Sequence, residues 1–237
     1  MRDMTGEMQR ETMIRSPLLR ALAVGLLGLG LALVPRPCPA ITIDFAALEG
    51  ASVQFVGTGD TFSFVAALDG NHFVITASDG VGDSVGLRGQ MVGIWTIGPI
   101  TSVGGVQQAT VSGTGTLIIH DGLGYDLTGT LTWDTIYTYG TSGGLNVTGR
   151  LNVQQVSYSG SRADLVALMV NGRGWATDVV SFQFRPAKTL TQLTADGAIN
   201  ETSFSGTLSA PDAGSSLALF SLALAGLCGL RRRAIGA

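Results

Sequence analysis

The chain has 237 residues, of which 45% are hydrophobic and only 13% are charged, with a formal net charge of −3. Between two apolar ends, residues 41–209 carry thirteen Asp or Glu against six Lys or Arg, which argues against nucleic acid as a partner because that needs a basic face. About 170 residues are enough for one domain with a core and too few for two. Cys38 and Cys228 lie outside this body, so packing and hydrogen bonds must hold it together without a disulfide.

The N-terminal segment is typical of a signal peptide. Basic residues precede an apolar run at 21–34, and helix breakers and small residues follow up to Ala40. We therefore predict that residues 1–40 are a signal peptide, read by the export machinery and cut by signal peptidase after Ala40. Met13 offers an alternative start of translation.

The body is predicted to be β-structure almost throughout, with runs rich in Val, Ile, Thr and aromatic residues separated by glycines. Apolar and polar residues alternate in 127–136 and in 145–153, which predicts strands with one dry and one wet face. We expect an all-β fold over 41–209, an antiparallel β-sandwich or jelly-roll-like domain. The predicted strands are 41–45, 51–57, 61–68, 72–77, 90–97, 106–120, 124–139, 145–158, 174–184 and 200–208.

Turns and one short helix interrupt these strands. At 161–170, Ser161 with Asp164 fits a capping box, and Asn171-Gly172 could end a helix, so a helix is favoured over a strand. Residues 186–195 are similarly ambiguous. Five pairs suit type I′ hairpin turns, in which both central residues have positive φ: Asp69-Gly70, Asp79-Gly80, Asp121-Gly122, Asn171-Gly172 and Asp196-Gly197.

The C-terminal end combines a turn motif and linker at 210–216, an unbroken apolar run at 217–230 and a basic tail at 231–237. A helix from Ala213 to Leu230 would be about 27 Å long, close to the ~30 Å hydrocarbon thickness of a bilayer. Charged side chains resist entry into hydrocarbon, and basic residues favour the cytoplasmic side. The pattern predicts a transmembrane helix with the body outside and the C-terminus inside. The stop residues are Arg231, Arg232 and Arg233.

This tail resembles the C-terminal sorting signal of bacterial PEP-CTERM proteins, most closely the VPDSG-CTERM variant. It departs from that variant at Ala210, where Val is usual, and at Ala213, where Ser is usual. The resemblance is confined to the tail, and it implies cutting near the motif by an exosortase, a membrane transpeptidase-like enzyme. The body would then be released or re-attached at the cell surface or outside the cell. The motif residues are Pro211, Asp212, Ala213, Gly214 and Ser215.

Catalytic patterns are weak. Two windows match Gly-x-Ser-x-Gly, centred on Ser84 and Ser142, but a nucleophile elbow needs a strand before the serine and a helix after it, and both serines lead into predicted strands. His72 and His120 stand at the ends of predicted strands and are expected to be surface or hairpin-end residues, not zinc ligands.

The carboxylates suggest two further functions, glycoside hydrolysis and calcium binding. A glycosidase needs two that face each other, and Asp134 beside Trp133 or Asp178 near Trp175 are candidates, although alternation places Asp134 on the wet face of its strand. No cofactor or metal is expected. Weak calcium candidates, which lie in Gly-rich loops without the spacing of a known calcium loop, are Asp79, Asp83, Asp121 and Asp126.

Aromatic residues could bind sugars by stacking. Alternation places Trp133 in the core, whereas Tyr137 and Tyr139 lie near the end of a predicted strand and are expected to be exposed together. The leading hypothesis is a non-enzymatic cell-surface or matrix protein, with an exosortase as processing partner and exopolysaccharide as a further one. A carbohydrate-binding module is the alternative, and a secreted hydrolase ranks third.

Overall fold

A computed structural model describes residues 40–139 and 147–210, all within the unit Pro37–Ser215. Residues 1–39 of the predicted signal peptide lie outside the described residues. So do the motif from Pro211 onward, the predicted transmembrane helix at 217–230 and the basic tail.

Within those ranges the chain forms thirteen strands, all paired antiparallel, and two short helices, which confirms a mostly β, antiparallel body. The strands are β1 Ile41–Ala47, β2 Ser52–Val56, β3 Thr61–Val65, β4 Phe73–Ser78, β5 Arg88–Ile97, β6 Thr101–Val103, β7 Val106–Ser112, β8 Thr114–His120, β9 Asp126–Thr138, β10 Val147–Ser157, β11 Trp175–Phe182, β12 Ile199–Thr202 and β13 Phe204–Ala210; the helices are α1 Ala163–Asn171 and α2 Leu190–Leu193.

Eight strands form a closed circuit of hydrogen-bonded neighbours. Starting from β1, the order is β1, β13, β11, β10, β9, β8, β5 and β4, and β4 pairs with β1 again. β7 leads into β8 through Gly113, whose φ of 112° is one that glycine adopts readily. β7 also pairs with β9. The predicted strand 106–120 is therefore one strand bent at a glycine.

The second half of β5 pairs instead with β3, to which β2 and then β12 are added. This three-stranded extension packs its aromatic side chains against those of the circuit. The ring centroids of Phe62 and Trp133 lie 4.9 Å apart, and those of Phe64 and Phe204 lie 4.8 Å apart. Trp133 is buried, as its alternation predicts, so the core lies between the extension and the circuit.

The type I′ prediction for the Asp-Gly and Asn-Gly pairs is wrong, because in none of them does the first residue have positive φ. At Asp121 the side chain closes the turn instead: the N–H of Leu123 donates to the Asp121 carboxylate at 2.6 Å, and the positive φ falls on Gly122. Both residues have positive φ at Gly59-Asp60, between β2 and β3, and at Gly104-Gly105, between β6 and β7.

The predicted helix at 161–170 is confirmed as α1, but its capping box is wrong. The N-cap residue is Arg162, and its side chain does not cap the helix. Asp83, far away in sequence, accepts the N–H groups of Ala163 at 2.6 Å and Asp164 at 3.0 Å. A capping box forms instead in the ambiguous segment 186–195, where Thr189 and Gln192 cap α2 reciprocally.

Gly149 provides a test of the core. A Cβ at this position would lie 1.7 Å from Cζ3 of Trp133, so we predict that Gly149→Ala lowers the free energy of unfolding by about 3 kcal/mol, since a packed core accepts no extra volume. The measurement is urea unfolding followed by tryptophan fluorescence. Asn152→Ala, on the exposed side of the same strand, is the control. Equal stability of the two variants would contradict the packing described.

Candidate functional site

Both ends of the body leave from one place. β1 begins at Ile41, directly after the predicted signal peptide, and β13 ends at Ala210, directly before the sorting motif. Ile41 and Ala210 are paired across the β1–β13 ladder, and both are buried. We name this end of the sheet the terminal pole; with the two chain ends it comprises the connecting segments 79–87, 121–125 and 158–174.

Asp164, in the first turn of α1, ties segment 79–87 to the helix. Its buried carboxylate accepts the N–H groups of Val81 at 2.8 Å and Gly82 at 3.1 Å, and the hydroxyl of Ser84 at 2.8 Å. Burial opposes ionisation, but hydrogen bonds from the Ser84 and Ser78 hydroxyls and from backbone N–H groups outweigh it and keep the pKa of Asp164 below its usual value. The loop is therefore held by a buried anion.

A second set of contacts ties segment 121–125 to the same helix. The Tyr158 hydroxyl donates to the buried Asp121 carboxylate at 3.0 Å, and the Arg162 guanidinium donates to the carbonyl oxygens of Asp121 and Asp83. Burial opposes ionisation of Asp121, yet the N–H groups of Leu123 and Tyr125 and the Tyr158 hydroxyl lower its pKa. Three separate segments thus form one hydrogen-bonded unit.

The four weak calcium candidates do not converge on a common position where they could bind one ion. Asp79 accepts the N–H of Thr42 at 2.7 Å, Asp126 contacts His120 Nδ1 at 2.9 Å, and Asp83 and Asp121 hold α1 and a turn. Within residues 40–139 and 147–210, no three His, Cys, Asp or Glu side chains are grouped as a metal site would require.

An apolar pocket of about 610 Å³ opens beside α1 at the terminal pole. Its wall is formed mainly by small and branched apolar side chains, with the buried Asp164 at one edge. The apolar lining residues include Ile41, Val81, Val166, Ala167 and Val170.

The residues considered for catalysis occupy varied places. Ser84 is fully buried in the segment between β4 and β5, and its hydroxyl is held by Asp164; Ser142 lies outside the described residues. His120 stands at a hairpin end, as predicted, but the surface role predicted for His72 is wrong. His72 is buried, accepts the N–H of Met91 at 2.8 Å, and has its pKa lowered by burial.

Tyr137 and Tyr139 lie together at the end of β9, away from the terminal pole. Their ring centroids are 5.3 Å apart with the planes perpendicular, and Tyr139 is 53% exposed while Tyr137 is half-buried. A hydrogen bond with Tyr137 raises the pKa of Tyr139. The two rings are in contact, but Tyr139 alone of the two is exposed; their role in binding remains a prediction.

Asp178 occupies a place that sequence reasoning missed. It points into the core from β11, whereas Trp175, its suggested companion, lies on the exposed face, so the two are not brought together. Neither carboxylate oxygen has a hydrogen-bond partner, and burial raises the pKa of Asp178 to about 8. Alternation was the available signal, since Ala176, Val180 and Phe182 are the other inward residues of this strand. Asp134 is exposed, as predicted.

Comparison with known proteins places a signal immediately beyond the described body. The family model described as "VPDSG-CTERM motif" matches residues 211–234, which is a C-terminal sorting signal of the PEP-CTERM type and indicates an exported, cell-surface-directed protein. Among curated proteins and among solved structures, none matches the chain. Of the two helices in the described ranges, neither has the length and apolar character needed to cross a bilayer.

The contacts of Asp164 and Asp83 predict different losses of stability when each residue is replaced by Ala. Asp164→Ala would leave several buried N–H groups without an acceptor and should cost about 3 kcal/mol or more of stability. Asp83→Ala removes a helix cap and should cost about 1 kcal/mol. Urea unfolding would measure both against Asp134→Ala, an exposed carboxylate. The reverse order of the two losses would contradict the arrangement.

Asp178 predicts a pH dependence of stability. The unfolded chain releases this proton near pH 3.8 and the folded chain near 8, so the free energy of unfolding should fall by about 1.4 kcal/mol per pH unit between these values. It should not change further above pH 8. Asp178→Asn should remove this decline, and Asp134→Asn should leave it unchanged. Parallel stability profiles for the wild type and Asp178→Asn would show that Asp178 is not held neutral.

Proposed function

We propose that this protein, which carries a VPDSG-CTERM sorting signal, is a non-enzymatic cell-surface or matrix component that an exosortase-type enzyme processes through its tail. The signal at 211–234 supports export and processing. In this proposal the signal peptide directs export, the apolar run at 217–230 anchors the precursor, and Arg231 to Arg233 keep the C-terminus inside.

The observation that carries the proposal is the position at which the fold ends. The last ladder closes at Ala210, and the sorting motif starts at the next residue. A cut within or after the motif therefore removes none of the strands of the described body. A tail that is dispensable for the fold is what a temporary anchor requires.

We further infer that the body acts as an inert module of the β-sandwich kind. The sandwich-like arrangement is supported by the packing of β2 and β3, as one layer, against the strands of the circuit. The ring centroids of Phe55 in β2 and Phe182 in β11 lie 5.7 Å apart. Two polar residues that the sequence suggested as catalytic or calcium-binding have structural roles: the Ser84 hydroxyl donates to Asp164, and Asp83 caps α1.

Intact-mass measurement on protein from a host with a matching exosortase tests the sorting. We expect the mature species to lack residues 217–233, and a chain ending at Ser216 to be exported without anchoring or cutting. Arg185→Ser, a change in the body, is the control and should be processed normally. A mature species that retains Leu217 to Arg233 would refute processing.

A second candidate function is binding of a saccharide chain at Tyr137 and Tyr139. The observation in its favour is that the two rings form one exposed aromatic corner, a geometry on which sugar rings can stack. An exported matrix protein would meet exopolysaccharide as its commonest neighbour.

Polysaccharide pull-down and glycan-array binding test this candidate. Replacing Tyr137 and Tyr139 by Ala should weaken binding about tenfold, because each ring contributes roughly 0.5–1.5 kcal/mol. Tyr125→Ala, an exposed tyrosine at the terminal pole, should bind like the wild type. Binding that survives the double substitution would remove this site from consideration.

A further inference from the structure

The terminal pole exposes several large apolar side chains. Six large apolar or aromatic side chains in or beside its three segments are exposed. The hydrogen bonds described above hold those segments in fixed positions. They are Val81 at 74% exposure, Leu123 at 58%, Trp175 at 54%, Tyr125 and Val170 at 51%, and Val85 at 48%.

The segments that carry these side chains are joined to one another at the pole. Val81 and Val85 flank the groups held by Asp164, and Leu123 and Tyr125 belong to the turn held by Asp121. Trp175 follows α1 directly, with its N–H donating to the Gly172 carbonyl at 2.9 Å.

The chain beyond the body indicates what this surface meets. The apolar run begins at Leu217, and the six residues 211–216 connect it to Ala210. An extended connection of this length reaches at most about 25 Å. A precursor anchored through that run therefore keeps Ala210, and with it the terminal pole, within about 25 Å of the bilayer.

The composition of the surface suits a lipid interface. Tryptophan and tyrosine favour the level of the lipid headgroups, because their rings are apolar and their N–H or O–H groups are polar. The apolar pocket beside α1, bordered by Val81 and Val170, adds concave apolar area at the same end. The exposed Arg173, between Val170 and Trp175, places a cation where lipid phosphates lie.

We propose that the terminal pole is a membrane-contact surface, on which the body rests against the lipid headgroups while the tail anchors the precursor. This inference rests on the proposed export and anchoring. Its consequence is that the sorting motif is presented at the depth of the interface, where an integral membrane enzyme can reach it. After the tail is cut, the apolar side chains of the pole hold the body at the lipid surface. Attachment through so small an apolar area is reversible.

Tryptophan quenching by lipid tests the contact. The full chain is reconstituted in phosphatidylcholine vesicles whose acyl chains carry bromine, which quenches a tryptophan that touches them. Of the three tryptophans, Trp95 and Trp133 are buried and Trp175 is exposed. We expect partial quenching of the emission in the wild type and none in Trp175→Phe.

Two matched triple variants separate the pole from the tail. Val81→Ser with Leu123→Ser and Val170→Ser should reduce the quenching at least twofold. Leu68→Ser with Val103→Ser and Ile199→Ser, exposed residues elsewhere in the body, should not. A chain that floats with the vesicles while Trp175 stays unquenched would overturn the pole contact and leave the sorting proposal standing. A chain that does not float would overturn both, and equal quenching in Trp175→Phe would also overturn the contact.

Discussion

The ladder between β1 and β13 is the constraint on which the rest of the molecule depends. It joins the first strand of the body to the last, from Ile41 with Ala210 to Ala46 with Ser205, and it completes the circuit on which the core and the extension pack. Because these strands are far apart in sequence, the pairing forms only once the whole body is available, and such long-range closure costs entropy that the buried apolar side chains must offset. Closure also brings Ile41 and Ala210 together, so the described body starts and ends at one pole.

Buried acids give that pole its shape. The segments there are rich in glycine, which by itself would leave them with high conformational freedom. Asp164 and Asp121 each gather several donors from neighbouring backbone, and Arg162 joins the segments through carbonyl oxygens. The cost of burying the carboxylates is offset by these hydrogen bonds. The acids therefore fix the backbone of the segments that carry the exposed apolar side chains of the pole.

The strands and the dry face of β9 and β10 could be predicted from sequence because alternation is a local signal and burial enforces it. The sorting tail could be recognised for a related reason, since length, hydropathy and charge define it without any tertiary contact. The capping of α1 by Asp83 could not be predicted, because the cap comes from a loop about eighty positions away. The same holds for Asp178: its alternation pattern places it inward, but only the fold shows that the carboxyl group is fully buried and that its pKa is therefore raised.

We infer that the described body ends at Ala210 and folds independently of the tail. Hydrogen–deuterium exchange of the β1 and β13 amides tests it most directly, in the full chain and in a chain that ends at Ser215. We predict the same protection in both, because the ladders described for these strands run to β4, β11 and one another, all within residues 41–210. Faster exchange along β1 and β13 in the shortened chain would contradict the claim, since it would mean that the tail holds the ladder closed.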